Sequence, residues 1–271
     1  MRSLQLAFAI DKNEVIAGFS RAAKTYDAWA LPQQQIAARL IELLPPGQVD
    51  GAILDLGCGT GCLTRLLRRR YPPARIIAVD IAPGMIDHCT HAFEDDGKVE
   101  LHVADAEHFV AASPCQLVLS SSSFQWFADR KAALGNAVMS LAEGGRFAMA
   151  VPVSGTLREL SESFEAAASC SMPTLEFPGE KELFGLLKLA GLAPAAAAVE
   201  ETRFEYASPL DLLRSIKGIG ASMSRHRGTK PLPPAKLGAL VDYYRRHFST
   251  DLERVTATYR VLYLVSEPFK R

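Results

Sequence analysis

The segment that most constrains this chain is 53–61, Ile-Leu-Asp-Leu-Gly-Cys-Gly-Thr-Gly. A short apolar run over 52–56 holds one acid, Asp55, and leads into glycines at every second position; 63–70 then follows with amphipathic helical spacing. That order predicts strand, tight loop and helix. Glycine lets the backbone turn sharply and approach a ligand, and the following helix start offers N–H groups that lack helical partners. Such a loop can hold a carboxylate or a phosphate. Dinucleotide sites also follow a first strand, but their G-x-G-x-x-G fingerprint puts Gly or Ala where this chain has Cys62. Asp55 would repel a pyrophosphate, whereas it suits the ammonium of a methionine moiety.

The alternation continues downstream. Strands are expected at 75–79, 99–103, 115–120 and 146–151, helices at 83–93 and 131–141, and a turn at Glu143-Gly144-Gly145. Upstream, 33–44 has helical spacing and ends at Pro45-Pro46-Gly47. Alternating β and α units predict an α/β fold with a mostly parallel sheet covered by helices on both faces. Beyond Pro152 the pattern breaks into helices at 157–170, 180–190 and 209–216 and strands at 202–206 and 259–266, with Ala195–Ala198 expected as a loop. The expected organisation is one domain over 1–271: an N-terminal lid and helix (1–45), a cofactor-binding core (46–152), and a substrate- and partner-binding region with the final strands (153–271).

Asp80 ends the second strand, 19 residues after Gly61, where a carboxylate can accept hydrogen bonds from both ribose hydroxyls. Asp105 ends the third, within reach of an adenine amino group. Asp55, Asp80 and Asp105 thus fall at the carboxyl ends of successive strands, where open α/β sheets bind ligands. On I-L-D-L-G-C-G-T-G, A-V-D-I-A-P-G-M-I and A-D-A, the chain resembles the class I S-adenosylmethionine-dependent methyltransferases over roughly 30–152. The resemblance implies a Rossmann-like, mostly parallel seven-stranded sheet with an N-terminal helical lid and a helical insertion before the last strands. It also implies S-adenosyl-L-methionine as cofactor, with its carboxylate near Gly57, Cys58 and Gly59, its ribose on Asp80, and its adenine between Ile81, Met85 and Ala106. Gln35 is expected near the methionine end, and Ser121 completes the cofactor set. Gln116 stands where the family usually has an acid, a departure expected to affect packing rather than cofactor binding.

Further segments narrow the resemblance: Phe19-Ser20-Arg21-Ala22-Ala23, Tyr26-Asp27, Gln33, Gln35, Ser123-Phe124-Gln125-Trp126, Thr258-Tyr259 and, above all, Arg214-Ser215-Ile216-Lys217-Gly218-Ile219-Gly220-Ala221. Together they are similar to the malonyl-[acyl-carrier-protein] O-methyltransferase family of biotin synthesis over nearly the whole chain. This implies methyl transfer to the free carboxylate of a malonyl thioester carried by acyl carrier protein, or by coenzyme A. The alternatives are another small carboxylate or hydroxyl acceptor, a cofactor-binding regulator without turnover, and a nicotinamide dehydrogenase. A carboxylic acid with a pKa near ~4 is already ionised at neutral pH, so alignment and desolvation, not a general base, should carry the reaction. Tyr26 is expected to line the transfer site. Arg214 and Lys217, three apart on one helix face, are the candidates to hold the acceptor carboxylate.

Charge is informative only in its distribution. Lys plus Arg and Asp plus Glu both total 30, but 214–254 carries nine basic residues against three acids. Carrier proteins are acidic, so Arg225, Arg227, Lys230, Arg245 and Arg246 are the expected docking face. No aromatic interleaving points to nucleic acid. No apolar run approaches the ~20 residues of a membrane span, and the first residues are too short for a signal peptide. The five cysteines are odd in number, and the C-x₃-C pair Cys58/Cys62 has no second pair at zinc spacing, so neither a metal nor a disulfide framework is expected. A reducing cytoplasm is the expected compartment.

Overall fold

The computed structural model describes residues 10–168, 176–221 and 232–270. Helices α1 (Lys12–Ala22), α2 (Tyr26–Trp29) and α3 (Leu31–Leu43) precede the sheet. Asp11 caps α1, its carboxylate accepting from the Asn13 amide at 2.9 Å. The core then alternates β1 (Ala52–Leu56), α4 (Cys62–Arg70), β2 (Arg75–Asp80), α5 (Pro83–Ala92), β3 (Val99–Val103), β4 (Cys115–Ser121), α6 (Arg130–Met139) and β5 (Leu141–Pro152). It is completed by α7 (Arg158–Ser163), α8 (Glu180–Leu189), β6 (Pro194–Tyr206), α9 (Pro209–Gly218), α10 (Pro234–Phe248) and β7 (Val255–Ser266).

All seven strands form one sheet in the order β3-β2-β1-β4-β5-β7-β6, with β1 to β5 parallel and β7 antiparallel to both its neighbours. Every residue of β1 is buried, as a central parallel strand covered on both faces requires. One face packs Leu40, Leu67, Leu160 and Tyr244 from α3, α4, α7 and α10. The other packs Leu134, Ala137, Leu183 and Leu187 from α6 and α8. The parallel core is the one expected from the alternation, and the full seven-stranded sheet is the Rossmann-like arrangement that the resemblance implies.

Two local expectations are corrected, and one helix was not foreseen. Ala195–Ala198 is not a loop but part of β6, which pairs along β7 to Tyr206. A run of alanines shows no alternation and no β-branching, so only the ladder offered by β7 makes it a strand. Helix α10 was hidden by its charge: only Leu240 and Tyr244, one turn apart, are fully buried along it. The 143–145 turn lies inside β5, where the pairing slips from Cys115↔Leu141 to Leu117↔Arg146. Gln116, at the opposite end of β4 from the carboxyl ends of the strands, accepts from the Gly51 amide at 3.2 Å and so serves packing there.

Candidate active site

Strand order reverses between β1 and β4, and an open α/β sheet parts there above its carboxyl ends. A cleft of about 920 Å³, including its open mouth, lies at this point, roofed by α1 to α3. Gly57 and Cys58 both donate their amides to Val79 O, at 2.8 and 2.9 Å, which ties the first loop to the end of β2. The Gly59 amide donates to Asp80 Oδ2 at 2.9 Å, and Ala82 donates to Asp80 Oδ1 at 2.8 Å. The loop amides at 57–59 are therefore used within the protein, and what the loop offers a ligand is close backbone approach. Gly57 is required sterically: a Cβ there would lie 2.4 Å from Ser123 Cβ.

No packing role is expected from sequence for the serines beside this approach. Ser120 and Ser123 both donate to Leu56 O, at 3.0 and 2.8 Å, and so pin the end of β4 to the end of β1. Their signals in the sequence were the serine run at 120–123 and the segment that Ser123 opens.

Of the expected cofactor residues, Gly57, Cys58, Gly59 and Asp80 line the cleft, as do Ile81, Met85, Asp105, Ala106 and Ser121. Asp55 is buried behind the loop and is not part of the wall. Thr64 Oγ1 donates to its Oδ2 at 2.7 Å, while Oδ1 has no hydrogen-bond partner. Burial, opposed by Thr64 and reinforced by the nearby Asp80 charge, pushes Asp55 up to about 7. Burial also raises Asp80, against the two backbone amides that favour its charged form. The neighbouring Cys89 thiol and burial hold the Cys58 thiol far above its ordinary range, so it is no nucleophile at neutral pH.

Gln35 is a correction. It is exposed and outside the cleft, whereas Ala30, Gln33, Gln34 and Ala37 line it. Those positions follow i, i+3, i+4, i+7 and form one stripe of α3; residue 35 points away from it. The lid is also held electrostatically. Lys12 on α1 pairs with Asp105 and, at 2.7 Å, with Glu107. Thr60 donates to Asp27 Oδ1 at 2.5 Å, and Arg65 reaches Asp27 Oδ2 at 3.4 Å.

A second cavity of about 600 Å³ adjoins the cleft and shares Phe19, Tyr26, Gln33, Ser122 and Trp126 with it. Phe19 and Trp126 meet edge to face, ring centres 5.1 Å apart, along this shared wall. Leu157, Ile216, Ile219 and Tyr259 make much of the rest apolar. Burial and the Asp80 charge raise Tyr26, so its phenol stays protonated at neutral pH.

Arg214 and Lys217 are corrected too. Helix α9 turns Leu212, Ser215 and Ile216 inward, which leaves 214 and 217 exposed and outside both cavities. Arg214 Nη1 instead pairs with Asp211 Oδ1 at 2.7 Å. Among the expected docking residues, Arg245 and Arg246 are exposed on α10, while Arg225, Arg227 and Lys230 lie outside the described residues. Among the described residues, no cluster of three His, Cys, Asp or Glu could hold a metal, and no helix is long and apolar enough to cross a membrane.

The cleft fits a nucleoside that carries a cationic amino acid. It offers a half-buried acid, Asp80, at the end of β2, apolar walls at Ile81, Met85 and Ala106, and an orphaned Asp55 oxygen behind the glycine loop. Fold and cleft together define a methyltransferase of class I, and residues 53–145 match the methyltransferase domain family. The fold is shared with the solved YcgJ protein of Bacillus subtilis, at 13% identity and a TM-score of 0.60, over 88% of this chain and 99% of that one. The malonyl-[acyl-carrier protein] O-methyltransferase of Acetivibrio thermocellus is 34% identical over 95% of this chain and 94% of its own. That of Geobacter sulfurreducens is 34% identical over 95% of this chain and 99% of its own. The chain belongs to the malonyl-[acyl-carrier protein] O-methyltransferase family.

Proposed function

We propose that this protein transfers a methyl group from S-adenosyl-L-methionine to the free carboxylate of a malonyl thioester on acyl carrier protein, giving the methyl ester used in biotin synthesis. The observation that carries the reading is the adjacency of the two cavities: they share Tyr26, Ser122 and Trp126, so donor and acceptor can meet across one wall. Membership of the family supplies the acceptor's identity.

In this reading Asp80 receives the ribose hydroxyls, Ile81, Met85 and Ala106 flank the adenine, and Asp105 faces its amino group. Gly57, Cys58, Gly59 and Ser121 enclose the amino-acid end, with Asp55 as the anion behind it. Bound there, the cofactor supplies an electrophilic methyl group on a cationic sulfur. The chain's part is to align and to exclude water: Phe19, Tyr26 and Trp126 close the wall, and the acceptor needs no base because it is already ionised. The ester product is neutral and loses whatever held the anion, which favours its release.

The exposed Arg245 and Arg246 on α10 support docking of an acidic carrier protein. A thioester substrate on a carrier protein also suits the cytoplasm. Mass analysis of malonyl-, succinyl- and acetyl-loaded carrier protein after incubation with enzyme and S-adenosylmethionine tests the reading. A gain of one methyl on the malonyl species alone is expected, and its absence there would sink the claim.

A further inference from the structure

We infer that the acceptor's carboxylate is held by uncharged donors at the seam of the two cavities, chiefly Gln33 and Ser122 with Tyr26, and not by a basic side chain; this rests on the carboxyl-methylation reading above. All three residues line both cavities, the place where donor and acceptor must meet. Among the described residues, no Lys or Arg lines the second cavity. The one cation among the described residues on the wall of the cleft, Lys12, is already paired with Asp105 and Glu107.

Two polar atoms here are buried with nothing to bind: Gln33 Oε1 and Ser122 Oγ. Buried polar groups ordinarily find partners, so a pair left open on one seam points to a ligand that completes them. The Ser122 hydroxyl can donate. A carboxamide whose oxygen has no partner can turn to present its NH₂ group instead, since both orientations fill the same shape. The Tyr26 phenol, kept protonated, is a third donor.

Ser122 is also held in a conformation that L-residues avoid, with φ of 54°. Its carbonyl accepts from Gln125 Nε2 at 2.7 Å, and its amide donates to Ala150 O at 2.8 Å. Strain of this kind persists where neighbours impose it, and it gathers at binding sites. Here it keeps the hydroxyl on the seam.

Neutral donors suit the chemistry. A guanidinium would hold the attacking oxygens in a tight pair and lower their nucleophilicity, whereas amide and hydroxyl groups orient them at less cost. The acceptor's charge is then balanced only from the cofactor side of the seam. Acceptor binding should therefore depend on a positive charge in the cleft.

Calorimetry of malonyl-carrier protein against the protein saturated with sinefungin, which carries an ammonium in place of the sulfonium, or with uncharged S-adenosylhomocysteine, tests this dependence. At least about tenfold tighter binding with sinefungin is expected, and equal binding overturns the inference. In turnover, Gln33→Leu, Ser122→Ala and Ser122→Gly should each raise KM for the malonyl substrate by about ten- to a hundredfold, the range for a hydrogen bond to a charged group, with a much smaller change in kcat. Affinity for S-adenosylhomocysteine should be unchanged. The glycine variant relieves the backbone strain, so an effect it shares with alanine belongs to the hydroxyl. An unchanged KM in all three, or a matching loss of S-adenosylhomocysteine affinity, overturns the assignment. If the wild type methylates malonyl-carrier protein in the same assay, that failure belongs to this inference alone; if it does not, the function reading falls and the inference with it.

Discussion

Gly18 and Gly220 meet backbone to backbone: a Cβ on either would lie 2.7 Å from the carbonyl oxygen of the other. Gly18 is in lid helix α1, and Gly220 follows α9 with φ of +74°. Beside them, a Cβ on Gly218 would come within 2.5 Å of the Trp29 ring. The Gly-Ile-Gly end of α9, the segment most telling of the family, is therefore where the lid rests. Its glycines are explained by close approach, and the cations beside them face outward.

Gly18→Ala tests that contact with a built-in control. In an open helix the change would stabilise by roughly 0.5–1 kcal/mol. Here it should lower the melting temperature and raise the cofactor Kd severalfold, read by thermal melts and calorimetry. A variant as stable and as tight as the wild type would show that the contact does not hold the lid.

Asp80→Ala removes the acid assigned to the ribose. Cofactor affinity should fall by roughly 1–3 kcal/mol, the cost of leaving buried partners unpaired. The amides of Gly59 and Ala82 also lose their acceptor, so the loop should loosen with it. Equal affinity by calorimetry would take Asp80 out of the site.

Asp55 predicts a pH dependence. Burial, with Thr64 opposing and Asp80 assisting, holds it at about 7, against about 4 in an unfolded chain. The folded protein binds this proton more tightly, so the contribution to stability is full below about 4 and is lost as pH rises through about 7. A cationic ligand behind the glycine loop favours the ionised form, so cofactor affinity should rise with pH through the same region. Thr64→Val removes a bond to the charged form and should move that rise to higher pH. A flat affinity profile between about pH 5.5 and 8.5 would rule out the coupling.

Arg214→Ala and Lys217→Ala should leave turnover of a small malonyl thioester unchanged, because both side chains lie outside the cavities. The double change Arg245→Ala with Arg246→Ala should raise KM for the carrier protein and spare the small thioester. Added salt should shrink that difference, since exposed charges are screened. Loss of activity on the small thioester in Arg214→Ala would restore the arginine to the site.

The parallel core was legible in the sequence, as were most of the residues expected to line the cofactor cleft. Strand period, glycine spacing and acids at the ends of β1, β2 and β3 are set by neighbours a few residues apart, so Gly57, Gly59, Asp80 and Asp105 could be picked out and do line the cleft, whereas Asp55 lies buried behind the loop. Tertiary structure decided which face of each helix meets the cleft. Gln33 and Gln34 line it in place of Gln35, and α9 turns Ile216 inward and Arg214 outward. Helical spacing fixes a stripe, but the direction in which it faces depends on what packs against it from far along the chain. The alanine strand β6 exists only through its pairing with β7. The second cavity joins Tyr26, Gln125, Ile216 and Tyr259 from four distant segments, a proximity that no local pattern encodes.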